Sequence, residues 1–457
     1  MTTYELSEAP APFSTPTTEF DTPTMVPDPA RLMAMIEAIA ELSDSPATDT
    51  EAAGVTRLAW TPTERRAHDL VAGWYRDLGL RVWTDAVGNT LAELPGRRAA
   101  ALGTGSHLDS VPRGGRFDGI AGVVAGVEVA RLLVENAVPL EHSVRFVAFT
   151  AEEGARFGQA CLGSKAVAGL LDESALTTLR DADGVSVAQA MRQVGLDPTR
   201  LAEARWSARD WVAFLELHVE QGSVLESAGI PVGVVDLVSG STRLALEVHG
   251  RATHSGSTPM ALRADALAAT AEIVLLAESI ATDARHRGTR ATVGVLRVEP
   301  GSLTTIPGRT SFTLDIRDVD SDRQRATINE ILSRATEICD RRGVALTARP
   351  IGDSSPVVLP IRLRRAVARA CADAGLPYRV LNSGASHDCQ MVNRVVPAAL
   401  LFVPSRGGLS HVPEEWTEPD DLAVGTRVLL HALLDLDRGF AAQDRATRPG
   451  EESDEQH

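Results

Sequence analysis

Four short stretches of this 457-residue chain place imidazoles and carboxylates just after strand-like runs. The first begins Gly105-Ser106-His107-Leu108-Asp109 and ends Asp118-Gly119, with small residues and turn formers between. The second is Ala151-Glu152-Glu153-Gly154, after the β pattern Val144 to Thr150. The third is Leu215-Glu216-Leu217-His218-Val219-Glu220-Gln221-Gly222. The last is Gly408-Leu409-Ser410-His411, after the apolar run Ala398 to Pro404. A lone His-x-Asp is as readily a buried structural pair as a pair of ligands. Two adjacent carboxylates have no packing role and repel each other when buried, and a divalent cation removes that conflict. Neutral imidazole and carboxylate oxygen suit zinc, manganese or cobalt, and an aspartate can bridge two ions.

The elements that must hold these groups are legible on either side of them. Ala100 to Gly105 reads as the end of a buried strand, and Ile120 to Val134 is an apolar run of helical length. His107 and Asp109 then sit at a strand's carboxyl end and Asp118-Gly119 where a helix begins, the edge at which open α/β sheets bind ligands. Thr61-Pro62-Thr63-Glu64 has the form of a helix start, with Thr61 as cap and Pro62 first in the helix, running to Leu78 and stopped by Gly79. Strands are expected at 80–84 and 89–94, and helices at 165–179 and 185–194. The alternation predicts an α/β sheet with helices on both faces.

After Gly222 the texture changes. Strands at 233–238 and 242–250, a helix at 263–279, strands at 291–298 and 310–317 and a helix at 322–342 predict a small α+β domain inserted into the first. The expected division is a disordered tail over 1–27, a first catalytic part over 28–228, the insert over 229–345, a second catalytic part over 346–440 and a flexible tail over 441–457.

Composition bounds the function. The length favours two domains, and 44% hydrophobic residues allow a sizeable core. A formal charge of −16 argues against nucleic acid and against anionic membrane surfaces. Cys161, Cys339, Cys371 and Cys389 lie far apart and read as reduced thiols of a cytoplasmic protein. No apolar run is long enough to span a membrane, and no signal-peptide pattern opens the chain.

The pieces GSHLDSVPRGGRFDG, EEGARFG, ELHVEQG, GRATHSGSTPM, SGASHD and FVPSRGGLSHVPEEW, in that order, resemble the hydantoinase/carbamoylase family of metal-dependent amidohydrolases, within the wider aminoacylase/carboxypeptidase superfamily. They cover roughly residues 55 to 435. The resemblance implies a mixed-sheet, di-metal exopeptidase-like catalytic domain whose insert serves as lid and dimerisation surface. It implies two divalent ions per subunit, zinc or else manganese or cobalt, held by His107, Asp118, Glu153, His218 and His411, with Asp118 bridging. It implies Asp109 as the carboxylate orienting His107, Glu152 as general base, and His254 as the histidine that reaches the partner subunit's site in a homodimer and stabilises the oxyanion. Arg317 matches the arginine that clamps the substrate carboxylate, although a salt bridge with Asp315 or Asp318 would also explain it. Gln221, His387 and the backbone of Gly384, Ala385 and Ser386 are further substrate-binding candidates.

Two departures fall at the substrate end. Thr304 stands where the family usually has Asn, and Ser386 where it usually has Gly. The expected reaction is hydrolysis of the ureido group of an N-carbamoyl-L-amino acid, a small ureido carboxylate. Allantoate is the nearest alternative, followed by an N-acyl aminoacylase or peptidase reaction, or a catalytically inactive binding module. Of the remaining histidines, His249 is expected to be structural, His142 and His286 solvated in loops, and His431 on a C-terminal helix.

Overall fold

The computed structural model describes residues 25–45 and 54–447. Strands β1 (Arg81–Thr84), β2 (Thr90–Leu94), β3 (Arg98–His107), β4 (His142–Phe149), β5 (Trp211–Val219) and β6 (Val232–Val238) come first in the chain and lie in one large sheet. Strands β7 (Gly240–His249), β8 (Arg290–Thr292), β9 (Leu296–Glu299), β10 (Arg309–Asp318) and β11 (Ala345–Ser354) form a second sheet. Then β12 (Val357–Val358), β13 (Tyr378–Ser383) and β14 (Ala398–Val403) rejoin the first.

The large sheet runs β1-β2-β4-β3-β5-β14-β6-β12, with β13 beside β6. Its centre is parallel, since β3 pairs parallel with β4 and β5, and β5 parallel with β14. Antiparallel pairing at β1/β2, β2/β4, β14/β6 and β12/β6 makes the sheet mixed. Central strands covered on both faces need apolar residues at every position rather than alternation, and all six residues of β14 are buried. The helix Ile120–Glu135 packs so closely on β3 and β5 that a Cβ at Gly122 would meet the Leu217 carbonyl oxygen at 2.2 Å. Because β3, β4, β5 and β14 point the same way, the segments that follow them emerge along one edge.

The small sheet is antiparallel, in the order β11-β7-β10-β8 with β9 beside β10. β10 alternates strictly between half-buried and buried. Phe312, Leu314 and Ile316 face the helices Ala266–Thr282 and Ser321–Arg342 in a separate apolar core. Asp315 and Arg317 take the other face.

Several expectations shift. β6 was placed with the insert, but its apolar sequence pairs with β13 and β14 in the large sheet. β11, placed partly in the second catalytic part, pairs with β7 along its length, so the small sheet spans 240–354 rather than 229–345. The helix expected over 165–179 is two, Leu162–Val167 and Glu173–Thr178, broken where Gly169 takes a φ of +69°. The strand expected over 291–298 is divided into β8 and β9. Of the two expected tails, 1–24 and 448–457 lie outside the described residues. Met25 is buried, and the last helix, Pro419–Thr447, carries residues 441–447.

His142 and His286 are not solvated. His142 opens β4 with its Nδ1 2.9 Å from Asp437 Oδ1. His286 is buried between Thr327 Oγ1 at 2.7 Å and Glu330 Oε2 at 3.0 Å. Both partners are distant in sequence. His431 lies on the C-terminal helix as expected. His249 ends β7, exposed, and pairs with Glu247 at 3.2 Å.

The predicted helix start at Thr61 is present, and Thr61 Oγ1 accepts from Glu64 N at 3.2 Å. The Glu64 carboxylate is wholly buried, accepting from Trp60 N at 2.6 Å and from the Thr150 hydroxyl. One turn on, His68 is also fully buried, with Nδ1 2.9 Å from Thr90 Oγ1. Burial first, and then the charge of Arg65, push its pKa down to about 4. An unfolded histidine protonates near pH ~6.5. A depressed folded value means the stabilisation is present above that pH and lost as pH falls towards about 4. The loss attributable to His68 is about 3 kcal/mol over that window. Denaturant melts at pH 7 and pH 4.5 should therefore differ less in His68→Asn than in the parent. Equal pH dependence in both would remove His68 as the cause.

Candidate metal centre and active site

The shared sheet edge gathers the chemistry read from the sequence. His107 is the last residue of β3, and His218 lies one residue from the end of β5. Asp118 precedes the helix Ile120–Glu135. Between them stands Gly119, at φ +70°, where a Cβ would meet the His107 ring at 2.5 Å. Only glycine lets the carboxylate and imidazole approach so closely.

Asp118 is the common member of two groups. Its Oδ1 lies 3.3 Å from His107 Nε2 and 3.1 Å from His218 Nε2. Its Oδ2 lies 3.3 Å from His411 Nε2, which is itself 3.2 Å from Glu153 Oε2. His107, Asp118 and His218 thus form one trio able to hold an ion, and Asp118, Glu153 and His411 another. A third trio, Glu216, His218 and His387, lies behind. There Glu216 is already engaged by the Ser106 hydroxyl at 2.7 Å and Cys389 N at 2.8 Å.

The donor chemistry of the first two trios fits a divalent cation. His107 Nδ1 is 3.1 Å from the Asp109 carbonyl oxygen, and His218 Nδ1 2.9 Å from that of Val219. Those contacts place the proton on Nδ1 and leave the Nε2 lone pairs towards Asp118, the arrangement metal-bound imidazoles use, with that of His218 also accepting from Gly119 N at 3.3 Å. His107 Nε2 and Glu153 Oε1 are buried without a hydrogen-bond partner. The electrostatics agree. Against burial, hydrogen bonds to Asp109 and Asp118 raise His107 well above its ordinary value. Against burial, the charge of Asp118 raises His218 to about 8, and contacts with Asp118 and Glu153 raise His411 to about 11. The cluster attracts positive charge.

Glu152 adjoins this group, with Oε2 3.7 Å from His107 Nε2. Burial, offset by the His107 charge and reinforced by Glu153 and Asp109, lifts its carboxyl to about 7. Such a group can both accept and return a proton near neutrality. Its Oε1 receives the Cys161 thiol at 3.1 Å.

Asp109 faces both His107 and the turn that carries the two glutamates. Its carboxylate accepts from Glu152 N at 2.8 Å and Glu153 N at 3.1 Å, and its Oδ1 is 3.6 Å from His107 Nδ1. The carboxylate therefore fixes the Glu152-Glu153 turn and also faces His107, whose Nδ1 meets the Asp109 backbone carbonyl as well. Gln221, held at φ +58°, directs Nε2 to Asp118 Oδ2 at 2.6 Å.

His387 packs edge-on against His218, with ring centroids 4.5 Å apart, and its Nε2 is 2.8 Å from Ser383 Oγ. Arg317 makes the intra-strand pair considered for it, with Asp315 at 2.9 Å, and also donates to the Gly384 carbonyl oxygen at 3.0 Å. The second contact ties the small sheet to the loop Gly384-Ala385-Ser386 of the large one. His254 and Thr304 lie together on the insert, where Ser255 N donates to the Thr304 carbonyl oxygen at 2.9 Å. Both are exposed, and no contact among the described residues joins them to the metal-ligating groups.

Sequence reading missed Glu415. It is buried four residues beyond His411, inside a motif already singled out, and that spacing was the available signal.

A mixed sheet with imidazoles and carboxylates converging on one shared aspartate defines a metal-binding α/β enzyme. Residues 103–435 match Peptidase family M20/M25/M40, and the chain belongs to that family. It is 44% identical over 389 residues to an N-carbamoyl-L-amino acid amidohydrolase of Geobacillus stearothermophilus, covering 84% of this chain and 94% of that one. It is 31% identical over 428 residues to an allantoate deiminase of Arabidopsis thaliana, covering 87% and 81%. A crystal structure of a hydantoinase/carbamoylase family amidase from Burkholderia vietnamiensis superposes with a TM-score of 0.84 at 34% identity, covering 91% of this chain and 98% of that one. The protein is thus a metal-dependent hydrolase of carbon–nitrogen bonds within the hydantoinase/carbamoylase group.

Proposed function

We propose that this chain hydrolyses the ureido group of an N-carbamoyl-L-amino acid, consuming water and releasing ammonia, carbon dioxide and the amino acid. The observation that carries this reading is the pair of ligand trios sharing Asp118, with Glu152 beside them. The name of the relative at 44% identity supports the substrate class. His107, Asp118 and His218 would hold one divalent ion and Asp118, Glu153 and His411 the other, zinc or else manganese or cobalt. Such ions polarise a carbonyl and lower the pKa of water.

Glu152 takes a proton from the attacking water and delivers it to the leaving nitrogen as the carbon–nitrogen bond breaks. Asp109 holds the turn that aims Glu152. Arg317 offers its guanidinium fork to the substrate carboxylate, with the Gly384-Ala385-Ser386 loop, His387 and Gln221 lining the same space. Thr304, with a hydroxyl where a carboxamide is usual, is a further candidate for substrate contact.

His254 acts in trans within a homodimer. Its Nδ1 accepts from Gly256 N at 3.1 Å and Ser257 N at 3.2 Å, which puts the ring proton on Nε2, the form that donates to an oxyanion. Met260, Leu262, Leu275 and Leu303 on the insert are exposed, which supports a covering partner there. Four free, buried cysteines support a reducing cytoplasmic compartment.

The test is ammonia release by the manganese- or zinc-loaded protein across several N-carbamoyl-L-amino acids, N-carbamoyl-β-alanine and allantoate, with amine release followed for N-acetyl amino acids. Turnover of a carbamoyl-L-amino acid is expected. Arg317→Gln should raise KM for it at least about tenfold, because a charge-assisted fork is lost. Turnover of allantoate alone would move the assignment to that substrate, which a relative's name already carries. Turnover of the acetyl compounds alone would overturn the ureido reading.

A further inference from the structure

Two of the three proposed histidine ligands are built into strands, and the third is not. His107 and His218 lie at the ends of β3 and β5, and a backbone carbonyl holds each Nδ1. His411 lies in a loop at φ +61° with its side chain half exposed. Among the described residues its ring meets only Asp118 and Glu153. Something else must hold this loop against the Asp118 loop, which comes from nearly the other end of the chain.

Glu415 is placed to do so. Its side chain is buried, and its Oε1 accepts from the backbone N–H of Phe117 at 2.8 Å and of Asp118 at 2.9 Å. Its Oε2 lies 2.7 Å from Ser410 Oγ, and Ser410 Oγ lies 2.8 Å from Asp118 Oδ2. A Cβ at Gly115 would meet the Glu415 Oε1 at 2.2 Å, so the Asp118 loop wraps directly over this carboxylate. One carboxylate thus grips the main chain of the bridging aspartate and the residue next to His411. Tight Asp118 packing alone would not require an acceptor reaching both loops.

We propose that Glu415 is the positioning residue that assembles the Asp118–Glu153–His411 ion site, while the His107–Asp118–His218 site, which shares Asp118 but has two strand-anchored histidines, depends on it less. The proposal rests on the two-ion reading above. It makes the two sites unequal. One ion is held by strand-anchored histidines, and the other depends on a latch between two loops. Groups behind metal ligands typically change metal affinity about 10–100-fold when removed, and here that loss falls chiefly on the ion held by His411.

The test uses the full-length chain, stripped of metal with a chelator and titrated with Mn2+ or Zn2+ alone, with bound metal counted by mass spectrometry after dialysis. The parent should take up two ions. Glu415→Ala should bind the second ion at least about tenfold more weakly than the parent does, with a smaller loss at the first, and so purify with one ion. Glu415→Gln, which keeps an acceptor for both N–H groups and a partner for Ser410, should keep both ions. Glu415→Asp, one methylene short, should fall between, and it carries the test if Glu415→Ala does not fold. A merely structural role would lower thermal stability without separating the two ions. Two ions at parental affinity in Glu415→Ala and Glu415→Asp, or equal weakening of both, overturn the assignment. A parent binding fewer than two ions shows instead that the two-ion reading fails, and the proposal falls with it.

Discussion

Glu152→Gln is expected to lower kcat on the substrate identified by the panel by about three orders of magnitude, within the ~10²–10⁴ that a positioned general acid–base group contributes. The substitution is nearly isosteric. It leaves an acceptor for the Cys161 thiol and removes only the ability to take and return a proton. Metal content should remain parental, because Glu152 belongs to neither trio around Asp118. KM should change little, because the proposed carboxylate clamp lies elsewhere, at Arg317. Single-turnover kinetics with metal analysis of the same preparation separates these quantities. A kcat within tenfold of the parent would place the base at another residue. A loss accompanied by lost metal would make Glu152 a ligand.

The second large effect is expected at His254. Removing one oxyanion donor costs about 10²–10³ in kcat, so His254→Ala should be nearly inactive although no described contact joins it to the ligand cluster. The same position explains a stranger result. In an isologous dimer each site would combine Glu152 of one protomer with His254 of the partner subunit. Mixing inactive His254→Ala with inactive Glu152→Ala then creates one complete site in each heterodimer. Equal mixing and random exchange should restore about a quarter of parental activity. Activity no higher than that of the parents after subunit exchange, verified by native mass spectrometry, would show that no site is shared.

The metal-centre candidates were legible in the sequence because ligand chemistry demands particular residue types at strand ends, and strand ends announce themselves by an apolar run followed by turn formers. That pattern marks the four stretches, the resemblance singles out His107, Asp118, Glu153, His218 and His411 within them, and in the structure the other four gather around Asp118. What sequence concealed was partnership across long separations. His142 is matched by Asp437 and His286 by Glu330, and no local pattern marks either pair. The Asp109 carboxylate, expected to face His107 two residues away, also holds the Glu152-Glu153 turn contributed by another strand, and that second task has no local signal. The limits of the insert were misplaced for a similar reason. β6 and β11 look alike as isolated strands, and only hydrogen-bond pairing decides which sheet each joins.

The way the small sheet is attached has a consequence for how such an enzyme changes over generations. The chain leaves the large sheet after Val238 and returns at Val357, and these two residues are direct partners across β6 and β12. Beside them, Ser241 N donates to Ser354 Oγ at 3.1 Å, so exit and re-entry are neighbours. A module spliced in at a single such point can be lengthened, shortened or exchanged without rethreading its host. All five proposed metal ligands lie in the host, while His254, Thr304 and Arg317 lie in the module. Drift elsewhere in the module can therefore alter which molecule is accepted while the proposed metal ligands and Glu152 are inherited intact, and the departure at Thr304 falls on the module's side of that division.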